Sequence, residues 1–215
     1  EGGGLARAIA NSLLVGLSTT ALSLALAAPA AFAVARLEFP GRRLLLGAAL
    51  AISMFPPIAT MGPLYVGLRA VGLLDTLPGL VLPYASFSLP LALFLLTQTF
   101  RDLPVELYQA ARVDGCSAAG AFRRVLLPLA APGLATSGLI VFVFAWNELL
   151  YALSFVTTPS RRTVPVALAL FAGEFRDPWV ILAAASTIAT VPVVLAAVLF
   201  QRRLVAGLTA GAVKG

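Results

Sequence analysis

The chain has 215 residues, 60% of them hydrophobic and 11% charged, with a formal net charge of +6. Soluble domains are roughly 45–50% apolar and 25% charged; no water-soluble fold hides this much apolar surface, and the mean hydropathy is strongly positive, so the composition implies a membrane protein. One cysteine and no histidine exclude a disulfide framework, a Cys/His metal site and a histidine-based triad or general base, and the scattered Lys and Arg form no nucleic-acid stripe.

Residues 1–10 read as a polar, glycine-rich lead-in, and a chain that opens on Glu1 without methionine is expected to be a fragment of a longer protein. Residues 11–35 form an apolar run that, at 1.5 Å per residue, exceeds the roughly 30 Å hydrocarbon core. A secretory signal peptide competes for this stretch, since Arg7 precedes it and Ala28-Pro29-Ala30 mimics a cleavage site; the run is too long for one, and further spans follow. A tight charged turn at 36–43 leads to a second span, 44–68, interrupted by Met54-Phe55-Pro56-Pro57 and Gly62-Pro63. Prolines there free carbonyls that protein or cavity water must satisfy, so this helix is expected to be kinked or split; a packing bend and a moving hinge are both open. A short connection, 69–78, precedes a third span, 79–100, whose Tyr84, Ser86, Ser88, Thr97 and Gln98 suit structural hydrogen bonds, with a wet path as the other reading. Spans at 134–156 and 179–200 complete five, separated by a polar connection at 157–178 and followed by a tail at 201–215. All of it reads as one domain, 1–215.

Between the third and fourth spans lies a water-facing loop, 101–128, whose core reads ELYQAARVDGCSAAGAFRRVLLP over residues 106–128. Pro104 suits the first turn of a helix, where its missing N–H costs nothing, and 105–113 holds good or tolerable helix formers. Gly115 supplies the conformational freedom to stop and turn. Ser117 is placed to cap a second helix over 118–126, and Pro128 is expected to keep it from running unbroken into the next span. Two short helices at a sharp angle follow, with Ala110, Ala111, Ala118, Ala119, Gly120 and Ala121 expected to form a small-residue surface for close approach of another protein. Lone Cys116 is most simply a small reduced residue of this loop.

Orientation follows from the basic residues. The side that carries the 36–43 turn, the 101–128 loop and the tail holds ten Lys and Arg against five on the other, which places the loop and the carboxyl terminus in the cytoplasm by the positive-inside rule.

Glu148 is the only acid inside a predicted span. It is expected roughly 12 Å below the outer end of its helix, where a carboxylate is expensive unless paired, protonated or wet. Phe144, Asn147, Glu148 and Tyr151 share one helical face by their spacing. Such a stripe suits a translocation path, with Asn and Glu hydrogen-bonding sugar hydroxyls and an aromatic ring stacking on a sugar face; binding to a neighbouring helix or a partner subunit is equally open.

The spacing Gln109-Ala110-Ala111, three residues, Gly115, nine residues, then Val125-Leu126-Leu127-Pro128 resembles the "EAA" loop of ABC importer permeases, with Gln109 standing where that family has an acid. Phe144-Ala145-Trp146-Asn147-Glu148-Leu149-Leu150-Tyr151-Ala152-Leu153 and the ending from Gln201 to Gly215 are similar to the carbohydrate branch, the maltose/trehalose type, second membrane subunit. The resemblance implies an all-α polytopic bundle of the type-1 (MetI-like) permease kind with a cytoplasmic coupling helix, its first span missing here. It implies a multi-pass inner-membrane subunit of an importer of a di- or oligosaccharide, with a non-sugar solute or a secondary transporter as alternatives. Implied partners are a homologous permease, two ATP-binding subunits and an extracytoplasmic sugar-binding protein, which the 157–178 connection would meet. Implied coupling residues are Gln109, Ala110, Ala111, Asp114, Gly115, Phe122, Leu127 and Pro128. The chain itself is then no enzyme and holds no cofactor, ATP and Mg being bound by the partner, in keeping with the lack of a GxxxxGK[ST] loop.

Overall fold

The computed structural model describes residues 2–174 and 179–212, with side chains placed for 4–42, 44–171 and 179–199. Arg176 and the last three residues of the terminal motif lie outside the described residues. In chain order the helices are α1 (Gly2–Arg36), α2 (Arg42–Ser53), α3 (Pro57–Ala70), α4 (Leu77–Asp102) and α5 (Val105–Val113). They continue with α6 (Ala118–Leu129), α7 (Ala131–Asn147), α8 (Leu150–Phe155), a 3₁₀ turn (Pro159–Arg161), α9 (Val164–Glu174) and α10 (Trp179–Ala212). No strand occurs among the described residues. An all-helical chain is the physical answer to lipid, where each backbone N–H and C=O must be satisfied within its own segment.

Among the described residues, three helices are long and apolar enough to cross a membrane, and five spans result if each of two bent pairs, α2 with α3 and α6 with α7, counts as one. Two elements differ from the sequence reading, and the second apolar run follows it. The expected lead-in is the start of α1, a helix of 35 residues, about 52 Å at 1.5 Å per residue; three glycines in a row cost propensity, and the long apolar helix they open overrides it. The second apolar run is split, as the prolines require: α2 stops at Ser53, and Pro56 and Pro57 start α3 in the cap and first-turn positions that tolerate a missing N–H. The 157–178 connection is no plain polar loop, since it holds the 3₁₀ turn and the eleven-residue apolar helix α9.

The chain packs as two units. Unit 1 comprises Glu1–Thr20, Phe55–Ser86 and Val141–Val198; unit 2 comprises Ala21–Met54, Phe87–Ile140 and Leu199–Gly215. In unit 1 the buried core gathers Ala8, Phe142, Trp146, Val164 and Ala189, with Ile9, Leu13 and Val193 packed against it. Gly16 makes this close approach feasible, because a Cβ there would stand 3.0 Å from the Phe142 ring. In unit 2 the Ser23 and Ser88 hydroxyls bond at 2.9 Å in full burial, a contact of about 0.6 kcal/mol on the scale measured between membrane helices. Ser86 and Thr97 turn their hydroxyls back to Leu82 O and Leu93 O of their own helix. Three of the polar residues of α4 are thus accounted for by structural hydrogen bonds.

Candidate functional sites

The helices α5 and α6, joined by a turn at Gly115, belong to unit 2. Pro104, extended at φ −55° and ψ 134°, is the cap of α5, which runs over Val105–Val113 as expected. Its end is a Schellman closure: Cys116 N–H donates to Ala111 O at 3.0 Å and Gly115 N–H to Arg112 O at 3.2 Å, with Gly115 at φ +83°. Ser117 then accepts the Gly120 N–H through its hydroxyl at 3.1 Å and opens α6. Gly115 sits here because the chain must pass through the left-handed region to reverse.

Pro128 lies inside α6, and the break expected before the next span follows it at Ala130. Residues Phe122–Leu126 widen into a π turn in which Leu127 N–H reaches back five residues to Phe122 O. The wider turn removes the clash between the proline ring and the carbonyl four residues earlier, and α6 runs on to Leu129. The sharp turn, 76°, comes at Ala130, just before Pro132 in the first turn of α7.

The small-residue surface is only half as expected. Gln109, Ala110, Asp114, Gly115, Ala119 and Pro128 are exposed, whereas Ala111 and Ala121 are buried against the chain's own helices, with Phe122 and Leu127 between the two. Helical periodicity is the cause, since Ala110 and Ala111 cannot both face outward on one turn.

Sequence reasoning missed what holds the pair in place. Phe122 meets Phe32 with ring centroids 5.1 Å apart and Phe100 at 6.0 Å, while Phe32 also meets Tyr108 at 5.8 Å. Arg36, at the end of α1, donates to Phe100 O at 2.6 Å and to Leu103 O, covering carbonyls left open at the end of α4. The signal was present as Phe32, Phe100, Tyr108 and Phe122, but four helices must come together before it can be read.

In unit 1 the fourth apolar run breaks at Glu148. Helix α7 ends at Asn147 and α8 begins at Leu150. The Glu148 carboxylate caps the new helix, accepting Tyr151 N–H at 2.8 Å and Ala152 N–H at 3.2 Å. A continuous face through Phe144, Asn147, Glu148 and Tyr151 therefore does not form. Phe144 and Asn147 are exposed and Asn147 bonds back to Val143 O at 2.8 Å, while Tyr151 is buried, its hydroxyl 2.7 Å from Thr60 Oγ1 and 3.1 Å from Pro57 O. The buried Tyr84 hydroxyl lies within hydrogen-bonding reach of Glu148. The acid expected to be costly is thus not bare: freed amides and a phenol satisfy it.

A third cluster in unit 1 was not foreseen. Asp75 lies between α3 and α4 and is the one non-glycine described residue with positive φ, at 57°. Its carboxylate accepts Thr157 N–H at 2.9 Å, Thr158 N–H at 3.0 Å and the Thr158 hydroxyl at 2.5 Å, with Arg161 at 3.3 Å. These bonds, the Thr158 hydroxyl foremost, hold its carboxyl down to about 2.

Known proteins match the chain over most of its length. The model for "Binding-protein-dependent transport system inner membrane component" covers residues 23–209. The trehalose transport system permease protein SugB of Mycobacterium tuberculosis is 53% identical, over 97% of this chain and 77% of that protein. The trehalose/maltose transport system permease protein MalG of Thermococcus litoralis is 42% identical, over 95% and 74% respectively. The sulfoquinovosyl glycerol transport system permease protein SmoH of Agrobacterium fabrum is 44% identical, over 95% and 72%. Among solved structures, one titled as a bacterial ABC transporter involved in the import of the acidic polysaccharide alginate has the same fold, with a TM-score of 0.78 at 22% identity over 94% of this chain and 75% of that one. The broken helices, the capped bend and the family match across residues 23–209 converge, and the chain belongs to the binding-protein-dependent transport system inner membrane components, the permease subunits of ABC importers.

Proposed function

We propose that this chain is a membrane subunit of an ATP-driven importer for a di- or oligosaccharide, in which α5–α6 receives the stroke of a separate ATPase on the cytoplasmic side. The observation that carries the reading is the α5–α6 bend itself, closed by Gly115 at φ +83° and anchored through Phe122 and Arg36. A bend fixed this way moves as one piece with the end of α1 and the end of α4. A push on its exposed residues, Gln109, Ala110, Asp114, Gly115 and Pro128, is then passed into the bundle rather than absorbed in a slack loop. Ala111, Phe122 and Leu127 keep the shape rather than touch the partner.

The sugar assignment is supported by relatives named for trehalose, trehalose/maltose and sulfoquinovosyl glycerol transport. On the substrate side, Phe144, Asn147, Glu148 and Tyr151 divide their roles: Phe144 and Asn147 are exposed to contact solute, and Glu148 with Tyr151 fixes the break beside them. A homologous permease, two ATP-binding subunits and an extracytoplasmic binding protein complete the assembly, with the 157–178 segment meeting the binding protein. The test is the ATPase rate of the reconstituted complex against a panel of binding proteins, each loaded with its own solute. Stimulation by a sugar-loaded protein is expected; stimulation by amino acids or phosphate, and by no sugar, overturns the substrate class.

A further inference from the structure

Within unit 1 the segment after α8 is tied down from three places. Asp75 takes the amides of Thr157 and Thr158, the Thr158 hydroxyl and Arg161, and its own N–H reaches Phe155 O at 2.9 Å. Asn11, on α1, donates its amide to Ser160 O at 3.0 Å and Arg162 O at 2.9 Å. Ser12, the next residue, accepts Val164 N–H at 2.9 Å and so starts α9. Apart from the Thr158 hydroxyl and the Arg161 guanidinium, these ties use backbone groups of the turn, and the side chains of Thr157, Pro159, Ser160 and Arg161 remain exposed. Such a turn is fixed in shape yet open on its outer face, and Asp75 holds a left-handed conformation that persists only where the surroundings enforce it.

We infer that Asn11, Ser12 and Asp75 are positioning residues that preorganise the 157–161 turn as the rigid surface on which the extracytoplasmic binding protein docks. The inference rests on the reading above that this segment meets the binding protein. Rigid presentation lowers the ordering cost of association, so its loss weakens docking without altering the contacts themselves.

The experiment uses the reconstituted complex, titrated with the binding protein that stimulates it best in the panel above. D75G removes the carboxylate while glycine takes φ 57° freely, and D75N keeps one acceptor oxygen and tolerates the backbone. D75G is expected to raise the binding-protein concentration for half-maximal ATPase stimulation by about tenfold, D75N by about threefold, with the maximal rate retained at saturation. N11A, which cuts the ties at the other end, is expected to shift the titration in the same direction by several-fold, and serves if D75G fails to assemble. S160W places a bulky ring on the exposed face and is expected to abolish stimulation. If S160W stimulates as the unmodified complex does, the docking reading itself fails. If S160W blocks docking while D75G and N11A titrate normally, or lower only the maximal rate, the positioning role is overturned.

Discussion

Replacing Gly115 with alanine tests the bend most directly. A Cβ at this position meets nothing within 4 Å, so the whole cost is the backbone's at φ +83°. For an L residue in the left-handed region that cost is about 1–2 kcal/mol, which converts to a roughly 5- to 30-fold loss of the docking-competent bend. Asparagine tolerates the left-handed region better than alanine and is expected to fall between alanine and glycine. The assay is the dissociation constant between detergent-purified permease and its ATPase subunits for Gly115, G115N and G115A, with thermal unfolding of each permease measured alongside. Unchanged unfolding with a graded loss of affinity is expected. Equal affinity for Gly115 and G115A, or asparagine no better than alanine, would show that the Schellman closure does not set the docking geometry.

Cys116 is the only cysteine in the sequence and is partly exposed on the bend, so it serves as a native orientation probe. An impermeant maleimide should label it in inside-out vesicles stripped of ATPase and not in right-side-out ones; the reverse pattern would place the bend outside. F122A removes ring contacts to Phe32 and Phe100, each worth about 0.5–1.5 kcal/mol beyond area burial, and is expected to make the 105–129 segment protease-sensitive while the spans remain intact. E148L leaves Tyr151 and Ala152 N–H without acceptors at a cost of roughly 1–3 kcal/mol each; transport should fall steeply with ATPase co-purification retained, and E148Q, which keeps one acceptor oxygen, should be intermediate. The Asp75 carboxyl lies below the ordinary carboxylate value, at about 2, so its stabilisation of the 157–161 turn is full above about pH 4 and is lost only as pH falls through about 2. Binding-protein titrations between pH 5 and 8 should therefore show the same pH dependence with Asp75 and with D75N; a mid-acid step present only with Asp75 would contradict the geometry.

Local physics made α5 readable. Pro104, Gly115 and Ser117 each act through a bond or a dihedral within a few residues, so the Val105–Val113 helix, its reversal and the cap of α6 follow from composition alone. Apolar runs and their proline interruptions were legible for the same reason: lipid leaves the backbone no alternative to helix, and proline denies it a donor. Pro128 was legible as a break before the next span, but the π turn over Phe122–Leu126 that carries the helix past it to Leu129 was not. Glu148 was legible as an anomaly but not as a cap, since the helix it was assumed to lie in breaks at its own position.

The sequence by itself determined that this chain lives in a membrane as helices and carries a capped helix–turn–helix bend between its spans, because burial cost and short-range hydrogen bonding are written residue by residue. Only the tertiary structure decided which alanines of the bend are exposed, what anchors it and what holds the 157–161 turn. Those outcomes depend on contacts such as Asp75 with Thr158, 83 residues apart in sequence, and no local preference encodes a meeting at that distance.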